Sequence, residues 1–266
     1  NFVANFLSSH EFNFSKVHLV PPRKGLRLSE DLFVDMIEAA LANEMAYLVD
    51  SSLVIRWGDH VIFNANDCQP HPDGIDYLRK NYPKIDLALL PYSGGSGYPS
   101  CYSNLSDGET ISERERILER RIAGFIESTR QINPKYVVPF ADQYVVGGSR
   151  AHLNRFISHG SCPGVVGKQV REAGLGERLL LLNSGQSFDL GDQTKKPDMP
   201  YKEYTEEERE RHIAEHLSHY TYDHERVTFG PSVSIDRLVR HARKRLWEVQ
   251  TRRQTFPATC LVLDFN

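Results

Sequence analysis

The chain has 266 residues, with 32 Lys and Arg against 35 Asp and Glu, a net charge of -3 and 40% hydrophobic residues. That is ordinary for a globular protein with a real core, and it gives no electrostatic basis for nucleic-acid binding. No apolar run approaches the roughly 20 residues of a membrane helix, so neither nucleic acid nor membrane is expected as a partner.

Cys68, Cys101, Cys162 and Cys260 are widely spaced and make no disulfide scaffold. No basic-then-apolar leader opens the chain, and together these features predict a reducing, cytoplasmic setting. The sequence opens at Asn1 without Met and closes at Asn266 straight after CLVLDF, which has the pattern of a strand. A piece of a longer protein is expected, with a processed mature chain as the alternative.

Residues 17–28 (VHLVPPRKGLRL) are short, extended and proline-broken. Residues 29–49 carry two signals. Ser29 before Glu30 and Asp31, with much Ala, Leu, Met and Glu, favours a helix; for 30–38 we expect extended chain, on grounds given below. SLVIRW and HVIFN flank Gly58-Asp59 as the arms of a hairpin. A turn-rich NDCQPHPDG leads to a short helix near 73–80, and IDLALLPY (85–92) is an unbroken apolar run suited to a strand buried on both faces.

After the loop SGGSGYPS (93–100), Ser112 and Glu115 have capping-box spacing and predict a helix to about Ile132. Its buried stripe would be Ile117, Leu118, Ile122, Phe125 and Ile126. YVVPF (136–140) and LLLLN (179–183) are further strand candidates, with RAHLNRFIS a short helix between them. Strand and helix in alternation indicate a layered α/β domain. Residues 190–204 are polar with two prolines and suggest a linker. Thr205 and Glu208 then open a charged helix, and 234–252 forms a second, amphipathic one before a strand near Ala258.

Three segments carry candidate chemistry. In NANDC (64–68), Asp67 follows a β-run, where a carboxylate can project into a cleft and bridge two metal ions; the plainer role is capping the next turn. In PYSGGSGYP (91–99), Gly94, Gly95, Ser96 and Gly97 could bring backbone N–H groups close to an anionic ligand or simply connect two elements. No Gly-Lys-Ser/Thr follows, and the spacing around Ser96 is not that of a nucleophile elbow. In PFADQYVVGGSRAHLNRF, Asp142 follows a strand and His152 lies between Arg150 and Arg155, which could bind phosphate or be plain solvated helix residues. HIAEH (212–216) matches an inverted zinc-peptidase signature, but its flanks are almost wholly polar, whereas such a helix needs a buried side.

Taken in order, the Asp67-Cys68 strand end, DLALLPYSGGSGYPSCY, the long charged helix, INPKYVVPFADQYVVGG and NSGQSFDLGD resemble the C-terminal part of the CMP-N-acetylneuraminate hydroxylase family, over roughly 50–195. The resemblance implies the second half of a metallo-β-lactamase-like αββα sandwich over 1–190. A linker (191–204) and the start of a small helical or α+β domain (205–266) would follow. It also implies extended chain at 30–38.

Asp67 would be the metal-bridging carboxylate for zinc or iron in the full-length protein. Gly94, Gly95, Ser96, Gly97, Asp142 and His152 would border a small-molecule substrate, phosphorylated or nucleotide-linked. The implied function is a hydrolase-like or hydroxylase-associated metal domain, inactive as this piece alone; the alternative is a metal-free binding or assembly module of the same fold. The His-x-His-x-Asp-His signature of that fold is absent from the sequence. Cys68-x-x-His71 supplies half of a Rieske ligand pattern and no Cys-x-His supplies the rest, so no Rieske cluster is expected in this chain.

Overall fold

The computed structural model describes residues 20–38, 51–67, 70–93, 96–141, 145–157, 163–192, 197, 199–226 and 235–253. The chain divides into two units, residues 1–220 and 221–266. Among the described residues, the first is built on a six-stranded mixed sheet.

Strand β1 (Leu26–Arg27) pairs with β2 (Leu32–Glu38), which pairs with β3 (Ser51–Trp57). The expected extended reading of 30–38 therefore holds over β2, and the helical propensity there is overridden by strand pairing. β3 turns into β4 (His60–Asn64) across Gly58-Asp59, as the hairpin signal predicts. Gly58 has a φ of 56°, which suits glycine at the first central position of a tight hairpin turn.

From β4 onward the sheet becomes parallel. Helix α1 (Pro72–Asn81) carries the chain to β5 (Leu87–Pro91), and α2 (Asp107–Ile132) carries it to β6 (Tyr136–Phe140), both parallel to β4. These are helical crossovers of the kind parallel strands require.

The pleat sorts side chains into two rows. Asp35, Val54, Phe63, Ala88 and Val137 stand side by side across five strands and are at most 1% exposed. Ile75 and Leu78 of α1, Ile122 and Phe125 of α2, and Val166 and Val170 of α3 (Pro163–Glu172) belong to the same core. One register step away, Val34, Ile55, Ile62, Leu87 and Tyr136 form a second row on the opposite face. This row is half-buried.

Two expectations are corrected. Helix α2 starts about a turn and a half before Ser112: Ser106 is the N-cap and Glu109 completes the capping box. The spacing Ser-x-x-Glu occurs twice, and the earlier copy also lets Thr110 bury and bond back to the Ser106 carbonyl at 2.9 Å. Of the predicted stripe, Ile122 and Phe125 are buried and Ile117, Leu118 and Ile126 half-buried. LLLLN is not a strand. Leu179 makes a single parallel bridge to Val137, and the Leu180 N–H donates to the Val137 carbonyl at 2.9 Å, after which the chain leaves the sheet.

The polar stretch near 200 lies within the first unit. Asn183 exchanges two 2.7 Å hydrogen bonds with the Lys202 backbone, and Gln186 donates to the carbonyls of Met199 and Pro200. Thr205 caps α4 (Glu206–His212) through the predicted box with Glu208, and the helix continues as a π-helical turn, Ile213–Leu217. The second unit contains α5 (Asp223–Arg226) and α6 (Ile235–Arg253). The strand expected near Ala258 lies outside the described residues.

Candidate functional site at the strand ends

Three parallel strands run side by side, so their carboxyl ends open on one edge of the sheet, where ligands of α/β sheets commonly bind. Asn64 of β4, Leu89 of β5 and Val138 of β6 are in register. Beyond them the chain continues as Ala65-Asn66-Asp67, as Tyr92-Ser93, and as Ala141.

Several bonds fix this edge. The Ala65 N–H donates to the Leu89 carbonyl at 2.9 Å and extends the β4–β5 ladder by one bond. The Ser93 hydroxyl, 6% exposed as a residue, donates to the Ala141 carbonyl at 2.9 Å and clasps the end of β5 to the end of β6. Ser93 lies inside the glycine-rich loop singled out from sequence, yet nothing in the spacing marks it as the clasp.

Two residues at this edge hold a left-handed backbone without being glycine. Asn66 has a φ of 55° and so does Ala141. Asparagine tolerates that region; alanine adopts it at a cost, and such residues cluster at functional sites. The Asn66 N–H bonds the Asn64 side-chain oxygen at 2.9 Å, a local turn that releases Asp67 beyond the sheet edge, where it is exposed.

The other predicted residues divide. Gly94, Gly95 and Asp142 lie outside the described residues. Ser96 accepts a hydrogen bond from the Tyr98 N–H at 3.1 Å within its own turn. Gly97 has space for a side chain, since an added Cβ would meet Cys101 at an ordinary 3.6 Å. The following turn is tied to α2 by the Tyr98 hydroxyl, which donates to Glu113 at 3.0 Å. That hydrogen bond raises the Tyr98 phenol pKa and helps lower that of Glu113, where Arg116 is the larger cause.

His152 is exposed, and its Nδ1 lies 3.1 Å from the Ser149 carbonyl in the same 3₁₀ segment, Gly148–Phe156. Arg155 pairs with Asp107 at 3.0 Å and covers the Phe156 ring, so it joins this segment to α2. The group missed from sequence is Asn154, 4% exposed. Its side chain bonds both the N–H and the carbonyl of Val146, at 2.9 and 2.6 Å, and thereby holds Val146 against the 3₁₀ segment.

Among the described residues no group of three His, Cys, Asp or Glu side chains is placed to hold a metal ion. Asp67 is thus a lone exposed carboxylate, with no second and third ligating side chain grouped beside it among the described residues. No described helix is long and apolar enough to cross a membrane.

No protein-family model matches the chain. Two curated proteins from Mycobacterium tuberculosis strains, each named "Putative Rieske 2Fe-2S iron-sulfur protein", are 31% identical over 109 residues, 40% of this chain and 20% of theirs. A similarly named protein from Mycolicibacterium smegmatis is 31% identical over 139 residues, 51% of this chain and 24% of its own. The matched part thus spans about a fifth to a quarter of those relatives. Among solved structures, CmlA, a diiron beta-hydroxylase from Streptomyces venezuelae, overlaps 64% of this chain and 34% of its own, with 16% identity and a TM-score of 0.40. That overlap is too slight to transfer fold or chemistry.

These matches overturn the expected membership of the CMP-N-acetylneuraminate hydroxylase family, because the relatives found carry Rieske iron–sulfur names instead. The motifs behind that expectation are strand ends and a capped helix, which follow from a shared layout of elements and do not single out one family. The expected hydrolase chemistry and nucleotide-linked substrate find no counterpart among these names.

Proposed function

We propose that this chain is a metal-associated α/β domain of a larger iron-dependent redox protein, and that it contributes Asp67 as a metal ligand at the carboxyl edge of its parallel strands. The observation that carries this reading is the edge itself. The Ser93 hydroxyl clasps the ends of β5 and β6, the Ala65 N–H ties the end of β4 to β5, and Asn66 in a left-handed conformation delivers an exposed carboxylate there. The iron–sulfur names of the relatives favour iron over zinc.

The αββα arrangement belongs to the same proposal. Helices line one face of the sheet, while the opposite face presents the in-register row Val34, Ile55, Ile62, Leu87 and Tyr136. An apolar row of that kind suits packing against a second sheet. A metal at the edge would supply Lewis-acid or redox chemistry, while the chain's own residues would position it and border a small-molecule substrate. The Rieske cluster in the relatives' names is not assigned to this chain, because its sequence holds at most half of the ligand pattern.

The test is Asp67→Asn in the full-length protein, read by metal analysis and circular dichroism. Asn is nearly isosteric but lacks the negative charge, so metal occupancy should fall several-fold with the fold intact. Unchanged occupancy would leave Asp67 as a turn residue and favour a metal-free binding module.

A further inference from the structure

We infer that His212 and His216 form a second, surface metal site, a two-histidine chelate for a late first-row divalent ion such as Zn2+ or Cu2+. It stands apart from the strand-end reading and does not depend on it.

The two imidazoles lie four residues apart across the junction of α4 with the π-helical turn, and their ring centres are 4.8 Å apart at an interplanar angle of 52°. A metal–nitrogen bond is about 2.0–2.1 Å, and a ring centre lies about 1.15 Å beyond its nitrogen. Two imidazoles bound to one ion at about 90–110° therefore have centres roughly 4.5–5.3 Å apart. The observed separation falls within that span, so one ion can be held once a nitrogen of each ring is turned towards it.

Both histidines are exposed, so the ion does not have to enter the fold. The ring pair also has a fixed base. Ile213, between them in sequence, is 7% exposed and anchors the turn, the Ser218 hydroxyl bonds back to the Ala214 carbonyl at 2.7 Å, and the N-terminal end of the helix is held by the Thr205–Glu208 capping box. π-Helical turns often occur at functional positions.

Glu215 places a carboxylate oxygen 3.9 Å from Nε2 of His216. That is too far to ligate alongside the ring as the side chains stand, but near enough to favour a cation. With two protein donors the ion keeps open positions for water. The site is thus a chelate and not the buried, cleft-facing centre a zinc peptidase needs.

The experiment is calorimetric titration of the full chain with Zn2+ and, separately, Cu2+, using the wild type and the variants His212→Gln, His216→Gln, Glu215→Gln and Asp67→Asn. Nitrogen-15 NMR of the histidine rings identifies the coordinating residues. Wild type should bind one equivalent at this site, with both ring signals shifting together. Either histidine substitution should weaken binding about tenfold or more, because a chelate becomes a single contact. Glu215→Gln should weaken it only slightly, and Asp67→Asn should leave it unchanged, so this site and the strand-end reading fail independently. Binding that survives both histidine substitutions, ring shifts confined to one of the two histidines, or no binding by the wild type would each overturn the inference.

Discussion

The phenol of Tyr82 donates a 2.8 Å hydrogen bond to the carboxylate of Asp35, and neither residue is more than 8% exposed. Asp35 occupies the edge of the row that otherwise consists of Val54, Phe63, Ala88 and Val137. A buried carboxylate is costly unless every lone pair is used, and here four donors converge. The Tyr77 hydroxyl reaches Oδ2 at 2.6 Å beside Tyr82, while the backbone N–H groups of Gly25 and Met36 reach Oδ1 at 3.1 and 2.9 Å. Gly25 has a φ of 60°, and a Cβ there would fall 2.0 Å from the Phe33 ring, so that approach needs glycine. The cluster pins α1 and the residue that follows it to the strand β2.

Removing the acceptor should therefore cost more than removing one donor. Asp35→Ala takes the acceptor from the buried Tyr82 hydroxyl and from two half-buried backbone N–H groups, while Tyr77 keeps the Arg23 carbonyl at 3.3 Å, and should lower stability by about 3–5 kcal/mol. Tyr82→Phe leaves the carboxylate three donors and should cost about 1.5–3 kcal/mol. Urea melts of the two variants check the order; equal losses would show that Asp35 is not the centre of the cluster.

The same cluster predicts a loss of stability in alkali. Burial, then the hydrogen bond to Asp35 and its charge, push the Tyr77 phenol up from 10.0 to about 12, and Tyr82 is raised by the same causes in the same order. Because the folded value is raised, the stabilisation is complete below pH 10 and is lost as pH climbs towards 12: the unfolded phenols ionise first and draw the equilibrium to the unfolded side. Melts at pH 9 and pH 11 should show a steeper fall for wild type than for the double variant Tyr77→Phe, Tyr82→Phe. Parallel falls would exclude the cluster as the cause.

At the strand-end site, Ser93→Ala should cost about 0.5–1.5 kcal/mol by leaving the Ala141 carbonyl without this donor. It should also raise amide exchange at the ends of β5 and β6 while β2 and β3 stay protected. Exchange that rises evenly through the sheet would mean that the clasp has no local role.

The N-cap of α2 gives a check on the helix start. Ser106→Ala removes the acceptor for the Glu109 N–H, and should cost about 1 kcal/mol. Ser112→Ala, exposed inside the helix, should be neutral or slightly stabilising. A larger loss at Ser112 would restore the later start.

Much of the layout was legible in sequence because it rests on local chemistry. The hairpin at Gly58-Asp59, the apolar runs of β5 and β6, and the Thr205–Glu208 cap are short-range signals, and each is found in place. What escaped depends on partners distant in sequence. Asp35 sits in LFVDMIE as one polar residue among apolar ones, and nothing nearby names Tyr77 or Tyr82 as its donors. Ser106 and Ser112 offer the same capping pattern, and only the burial of Thr110 separates them. LLLLN looks like a strand because composition reports burial and not pairing. At the candidate site, position could be read for Asp67 from the end of an apolar run. Ser96 and His152, by contrast, are engaged with their own turns, and no spacing rule foresees that.

The change from antiparallel to parallel pairing at β4 has a consequence for the order of assembly. The β3–β4 hairpin closes across two residues, whereas β4 meets β5 only after residues 65–86 have folded back, and β5 meets β6 only after residues 92–135 have done so. Closure entropy rises with the length enclosed, and the parallel contacts cannot form until their crossovers are laid down. The antiparallel half can thus nucleate early, and the edge carrying Asn66, Ser93 and Ala141 belongs to the closing stage of folding. A nascent chain halted before α2 docks would hold a finished hairpin but only part of the strand-end edge.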